Sequence, residues 1–170
     1  ALLLIAGFCA LGRWQLHRGA EKQAMLDAAH AVLSNKRALP LSEAQGRDRR
    51  GYDWVAAHGR FLPSPVLLLD NQRRGDAVGV HVLAVLRPRE GRAQLVDLGW
   101  LPVPGNRLMP EPAMPVGEVE VSGLLAPPTG AGIALGPSFT PVQPVGKNAR
   151  WLLTRVDLAA LSRELKLPLA

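Results

Sequence analysis

The chain has 170 residues, a mass of 18.2 kDa and a net charge of +6, with 48% hydrophobic and 20% charged residues. This suits one domain with a core and excludes a disordered chain. Its 17 glycines and 15 prolines argue against a helical bundle, and its single cysteine, Cys9, excludes an internal disulfide or a CxxC site.

The first element is an uncharged run from Ala1 to Gly12. As a helix it spans about 18 Å, against about 30 Å of membrane hydrocarbon. A signal-peptide core, a buried helix and the last part of a transmembrane helix are the three readings. The helical pattern continues past Gly12, which favours the third. Trp14 suits the headgroup level, and Arg13 and Arg18 suit phosphates. No proline occurs before Pro40, and Leu16, Ala20, Leu26, Ala29 and Leu33 recur at roughly helical spacing. Residues 1–34 are therefore expected to be a transmembrane helix end continued as an amphipathic stalk. Residues 35–50 are polar and charged and read as a linker.

From residue 51 onward, short β-like runs separated by Gly and Pro indicate a β-rich domain. Expected strands are Trp54 to Phe61, Val66 to Asp70, Val78 to Leu86, Ala93 to Leu101 and Val119 to Leu125. Their close spacing predicts antiparallel pairing in a small sheet or open barrel. Five prolines in 102–117 mark an irregular loop, and 126–148 reads as a loop or broken strands. Trp151 to Val156 is the last expected strand. Asp157 is placed to N-cap a helix with Leu158, Leu161 and Leu165 that ends before Pro168. The fold class is α+β: an N-terminal transmembrane helix, the sheet or barrel, and a short C-terminal helix.

No catalytic set is visible. There is no phosphate loop, HExxH, clustered metal ligands or GxSxG elbow. His81, inside Val80-His81-Val82-Leu83, reads as a strand residue on the face opposite the core. His17 lies near Trp14 and Arg13 on one helical face. Trp100 reads as an aromatic anchor. The positive charge suits anionic lipid headgroups, whereas the lack of a basic run with interleaved aromatics excludes nucleic acid as the expected partner.

Several runs together resemble the surfeit locus protein 1 family of cytochrome c oxidase assembly factors. Leu11-Gly12-Arg13-Trp14-Gln15-Leu16-His17-Arg18 is similar to its Leu-Gly-x-Trp-Gln-x-x-Arg signature. Gly59-Arg60-Phe61 is similar to its Gly-x-Phe strand end. Leu69-Asp70-Asn71-Gln72, then Gly75 and Gly79-Val80-His81-Val82-Leu83, follow its Asp-Asn-Arg and Gly-Tyr-x-Val-Leu order. Leu95-Val96-Asp97-Leu98-Gly99-Trp100-Leu101-Pro102 is similar to Leu-Val-Asn-Arg-Gly-Trp-Val-Pro. Gln72 stands where the family has Arg, Val80 where it has Tyr, and Asp97-Leu98 where it has Asn-Arg, which suggests a divergent bacterial member.

The resemblance implies two transmembrane helices flanking a domain on the periplasmic side of the bacterial inner membrane. The second helix, with the histidine usually proposed for haem, is expected beyond residue 170, so the chain reads as a trimmed fragment. It implies a non-enzymatic assembly factor that assists haem a insertion, with transient haem a as the only cofactor and no metal. Expected partners are an oxidase subunit, haem-synthesis or assembly proteins, and membrane lipid. Trp14, Gln15, His17 and Arg18 are the cofactor-binding candidates. Asn71, Gly79, His81, Gly99 and Trp100 are the partner-binding candidates. The rival reading is an accessory docking subunit with no cofactor role.

Overall fold

In a computed structural model, residues 2–47, 51–63, 65–105, 108–127, 136–142 and 149–170 are described. The first element is a 34-residue helix, α1 (Leu2–Asn35). Lys36, at φ +41°, ends it: this left-handed residue returns its N–H to the Val32 carbonyl at 2.9 Å. The helix covers the stretch expected as a transmembrane helix end and stalk. Among the described residues, no helix is long and apolar enough to cross a membrane. The apolar run stops at Arg13, so Leu2 to Gly12 spans only about 17 Å. Along the rest of the helix the apolar side chains are little covered by the domain. Leu16, Leu26 and Leu33 are exposed, and only Ala29 and Val32 are half-buried.

The segment expected as a linker carries structure. A two-residue strand, β1 (Leu39–Pro40), leads into a single helical turn, α2 (Leu41–Ala44). Leu41 and Ala44 are buried against Val55. The rest is a sheet of strands β2 (Asp53–Phe61), β3 (Val66–Arg74), β4 (Ala77–Pro88), β5 (Gln94–Pro102), β6 (Val119–Leu125), β7 (Phe139–Val142) and β8 (Arg150–Leu153), followed by α3 (Leu158–Glu164). Parts of the loop expected over 126–148, namely 128–135 and 143–148, lie outside the described residues.

The sheet is mixed, not antiparallel throughout. β1 runs parallel to β2, and β8 runs parallel to β3. β4 is the shared strand. One of its edges pairs β3 through residues 77–83 and then β2 through 86–88, while its other edge pairs β5. β6 pairs β2, and β7 and β8 extend the sheet beyond β3.

Both faces of β4 are buried, which explains its nearly continuous apolar run. On one face Leu67, Leu83, Val85 and Leu153 pack with Leu161 of α3. On the other, Val66, Leu68, Val80 and Val82 lie beneath Val103, Met109 and Met114 of the proline-rich strap at 103–118. Buried Arg150 ties this strap down: its Nη1 donates to the Met109 and Pro110 carbonyls at 2.9 and 3.1 Å. Asp157 caps α3 by accepting from the Ala160 N–H at 2.9 Å.

Leu161 has no exposed surface, whereas Leu16 is 77% exposed. Leu161→Ala is expected to destabilise the domain by about 3 kcal/mol, and Leu16→Ala by less than about 0.5 kcal/mol, as read from urea unfolding midpoints. On the surface, Arg89 Nε donates to Glu118 Oε1 at 2.6 Å. That hydrogen bond first, and then the charges of Arg89, Arg60 and His58, hold the Glu118 carboxyl below the usual glutamate range against an opposing desolvation. The pair's contribution is present above the ordinary glutamate pKa and is lost as pH falls through the depressed one. A carboxyl-carbon NMR titration should place Glu118 below the other glutamates, and Arg89→Ala should return it towards them.

Candidate functional site

The partner-binding candidates meet at one corner of the sheet, where β3, β4 and β5 run side by side. Two bulges build it, one on each side of β4. On β3, Leu69 pairs His81 and Gln72 pairs Gly79, which leaves one extra residue between them. Asn71 takes up the irregularity at φ +57°, a left-handed conformation that Asn tolerates better than most residues. Its N–H donates to Asp70 Oδ1 at 2.7 Å. On β5, Asp97 pairs Leu83 and Gly99 pairs Val82, so Leu98 is the extra residue. Gly99 sits at φ +117°, which a side chain rarely adopts. Bulges of this kind re-aim side chains, and the one on β5 brings Asp97 to His81.

Trp100 lies directly across from His81. Its indole crosses over Gly79, and its Nε1 donates to the Gln72 carbonyl on β3 at 3.0 Å. A Cβ at position 79 would overlap the Leu101 carbonyl oxygen and the indole carbons, so glycine is what lets the ring lie flat there. The ring thereby ties β5 to β3 across β4.

His81 is not on a face opposite the core. It shares its face with Leu69 and Leu83, because β4 packs on both sides. Its Nδ1 is 2.7 Å from Asp97 Oδ2. That nitrogen is buried and makes no aligned hydrogen bond, so the contact is a short polar pair set off the N–H axis. The His81 side chain keeps 35% of its surface exposed. Since Nδ1 is covered, the exposed part is the rest of the ring. Asp97 uses its other oxygen, Oδ1, to accept from the Gly99 N–H at 2.8 Å. One carboxylate therefore shapes the bulge and contacts the imidazole.

The cofactor-binding candidates lie elsewhere. Trp14, Gln15, His17 and Arg18 are all exposed on α1. The Arg18 guanidinium lies over the Trp14 ring, 5.9 Å from its centroid, and His17 Nε2 is 3.4 Å from Glu21 Oε1. The structure does not bring these four together with the sheet corner. α1 meets the domain at its C-terminal end, where Lys36 Nζ lies 5.4 Å from the Trp54 ring. Among the described residues no group of three or more His, Cys, Asp or Glu is placed to hold a metal. A pocket of about 160 Å³ between α2, β5 and α3, with Gln45, Asp53 and Arg92 in its wall, shares no residue with either candidate set.

Compared with known proteins, residues 2–170 match the SURF1 family. The chain belongs to that family. SURF1 proteins form a family of cytochrome c oxidase assembly factors, not an enzyme family. No curated protein and no solved structure matches the chain. Within this SURF1 chain, Asp97 and Gln72 are the site residues that the sequence reading did not single out. Asp97 stands two residues before Gly99, a spacing that lets a carboxylate reach the bulged N–H. Gln72 acts through its backbone carbonyl, which no side-chain pattern reveals.

Gly79→Ala is expected to displace the Trp100 ring, break its bond to Gln72 and cost about 2 kcal/mol or more. An NMR hydrogen-exchange measurement on the Trp100 indole N–H checks this. The signal should be protected in the parent and exchange rapidly in the variant.

Proposed function

We propose that this SURF1 protein assists haem a insertion into the catalytic subunit of cytochrome c oxidase at a bacterial inner membrane. The observation that carries the reading is the family match along residues 2–170. The division of the molecule supports it. A long exposed helix carries an apolar tip, and a rigid sheet corner stands apart from it.

In this reading the apolar tip of α1 enters the membrane, with Trp14, Arg13 and Arg18 at headgroup level. The globular domain sits on the periplasmic side. Haem a is cargo. The residues on α1 suit such a molecule: the Trp14 ring offers a flat apolar face, and the Arg18 guanidinium beside it offers paired donors for a propionate. His17 supplies an imidazole one turn from Glu21, and Gln15 adds an amide at the same level. The corner of Asn71, Gly79, His81, Gly99 and Trp100 then faces the oxidase subunit or another assembly protein. A ring locked between three strands presents a preorganised surface, which lowers the ordering cost of docking.

Reduced-minus-oxidised spectra of membranes from a strain lacking the gene, beside its parent, test the reading. The a-type haem band should fall selectively while b- and c-type bands persist. Arg18→Ala with Trp14→Ala should fail to restore it. An unchanged a-type band at normal oxidase activity would sink the proposal.

A further inference from the structure

The strand order leaves the sheet open in a specific way. Along the order β6-β2-β4-β5, and among the described residues, β6 pairs only β2 and β5 pairs only β4. Just before β5, Ala93 is bridged by Leu169 and its carbonyl accepts from the Ala170 N–H at 2.9 Å, so the outer edge of β5 is open beyond that point. The two free edges look onto one cleft of about 670 Å³. Its floor includes Phe61 and Leu86, and its walls include Val96 and Leu98 of β5 and Val119 and Val121 of β6. Unpaired edges of this kind carry rows of free N–H and C=O groups and are templates for a further strand.

The chain's own connection between the two strands is ill suited to fill the place. Residues 103–118 join β5 to β6 and contain Pro104, Pro110, Pro112 and Pro115, none of which has an N–H to give to a ladder. Its Val103, Met109 and Met114 are instead held over Val66 and Val80, where Arg150 grips the Met109 and Pro110 carbonyls, and of the strap's described residues Pro115 lines the cleft. The charge of the cleft selects the occupant further. Asp97 and Glu120 are the charged residues that line it, and both are acidic, in a chain whose net charge is +6.

We propose that the β5–β6 cleft is a docking site for an extended segment of a partner polypeptide in which basic and small apolar residues alternate. The segment adds as a strand to these edges. Its apolar side chains point to the cleft floor, and its basic side chains meet Asp97 and Glu120 at the rim. The inference stands on the strand order and the cleft, and does not depend on a role in oxidase assembly.

A fluorescein-labelled peptide of five Lys-Val repeats, titrated into the full chain by fluorescence anisotropy, tests it. Saturable binding is expected, with new amide protection in residues 94–98 and 119–123 by hydrogen-exchange NMR. The same peptide with alternate backbone nitrogens methylated should lose binding, because its ladder donors are gone. Glu120→Lys, a change at an exposed position, should weaken binding about fivefold. The proposal is overturned if the methylated peptide binds as well, if a Glu-Val repeat peptide binds equally, or if protection appears elsewhere. Absence of binding overturns it too. So does sedimentation showing that a second copy of the chain already covers these edges.

Discussion

The structure depends on β4 having two usable edges and two buried faces. Twelve residues, Ala77–Pro88, bond β3 and then β2 along one edge and β5 along the other. A strand in that position must be apolar on both sides, and Val80 to Leu86 is, apart from His81. The two core layers, one under α3 and one under the proline-rich strap, lie on opposite sides of β4 and of its neighbours β3 and β8. β3 uses one edge for β4 and has its other edge for a further strand. β8 comes in there, in parallel, and makes the sheet mixed.

The same constraint generates the candidate corner. Towards the N-terminal end of β4 the large apolar side chains give way to Gly79 and His81, and both neighbouring strands bulge at that level. A bulge costs ladder bonds, so its backbone needs local partners. Asp70 and Asp97 supply them through short bonds to the N–H groups of Asn71 and Gly99. Asp97 then has one oxygen left, and it faces His81. Gln72 keeps a carbonyl for the Trp100 indole. The corner is a consequence of satisfying backbone groups at two irregular positions, and the polar side chains gathered there follow from it.

Much of this was legible where a pattern is local. β6 (Val119–Leu125) was readable to the residue, because apolar and polar residues alternate from Val119 to Ser122 and its ends are marked by Gly117 and Pro127. The α3 cap at Asp157 was readable for the same kind of reason. What was hidden depends on distant parts of the chain. β1 has two residues and exists because Val55 and Ala56 offer it an edge, so no window in 35–50 signals it. β7 contains Pro141 and is held by stacking of Phe139 on Trp151, 4.9 Å apart. The parallel pairing of β8 with β3 joins residues more than 80 positions apart in the chain. The face of His81 was misread because a period of two cannot say which side is core when both are. The corner residues were found through family motifs, while Asp97 stood out there only as a departure.

The placement of α1 constrains how the two candidate sets act together. The four helix residues and the sheet corner are joined through the base of the helix at Lys36 and Trp54. Nothing in the core couples them, since α1 contributes no buried residue. A ligand held near Trp14 and a partner held near Trp100 therefore gain little from direct cooperation inside this chain. Their advantage is one of proximity: a tether that carries both raises the effective concentration of each for the other. That advantage tolerates a change of side chain in either set so long as the helix leaves the domain at the same place. Lys36, which ends α1 in a left-handed conformation, and β1, which pins the following residues to β2, are what set that exit.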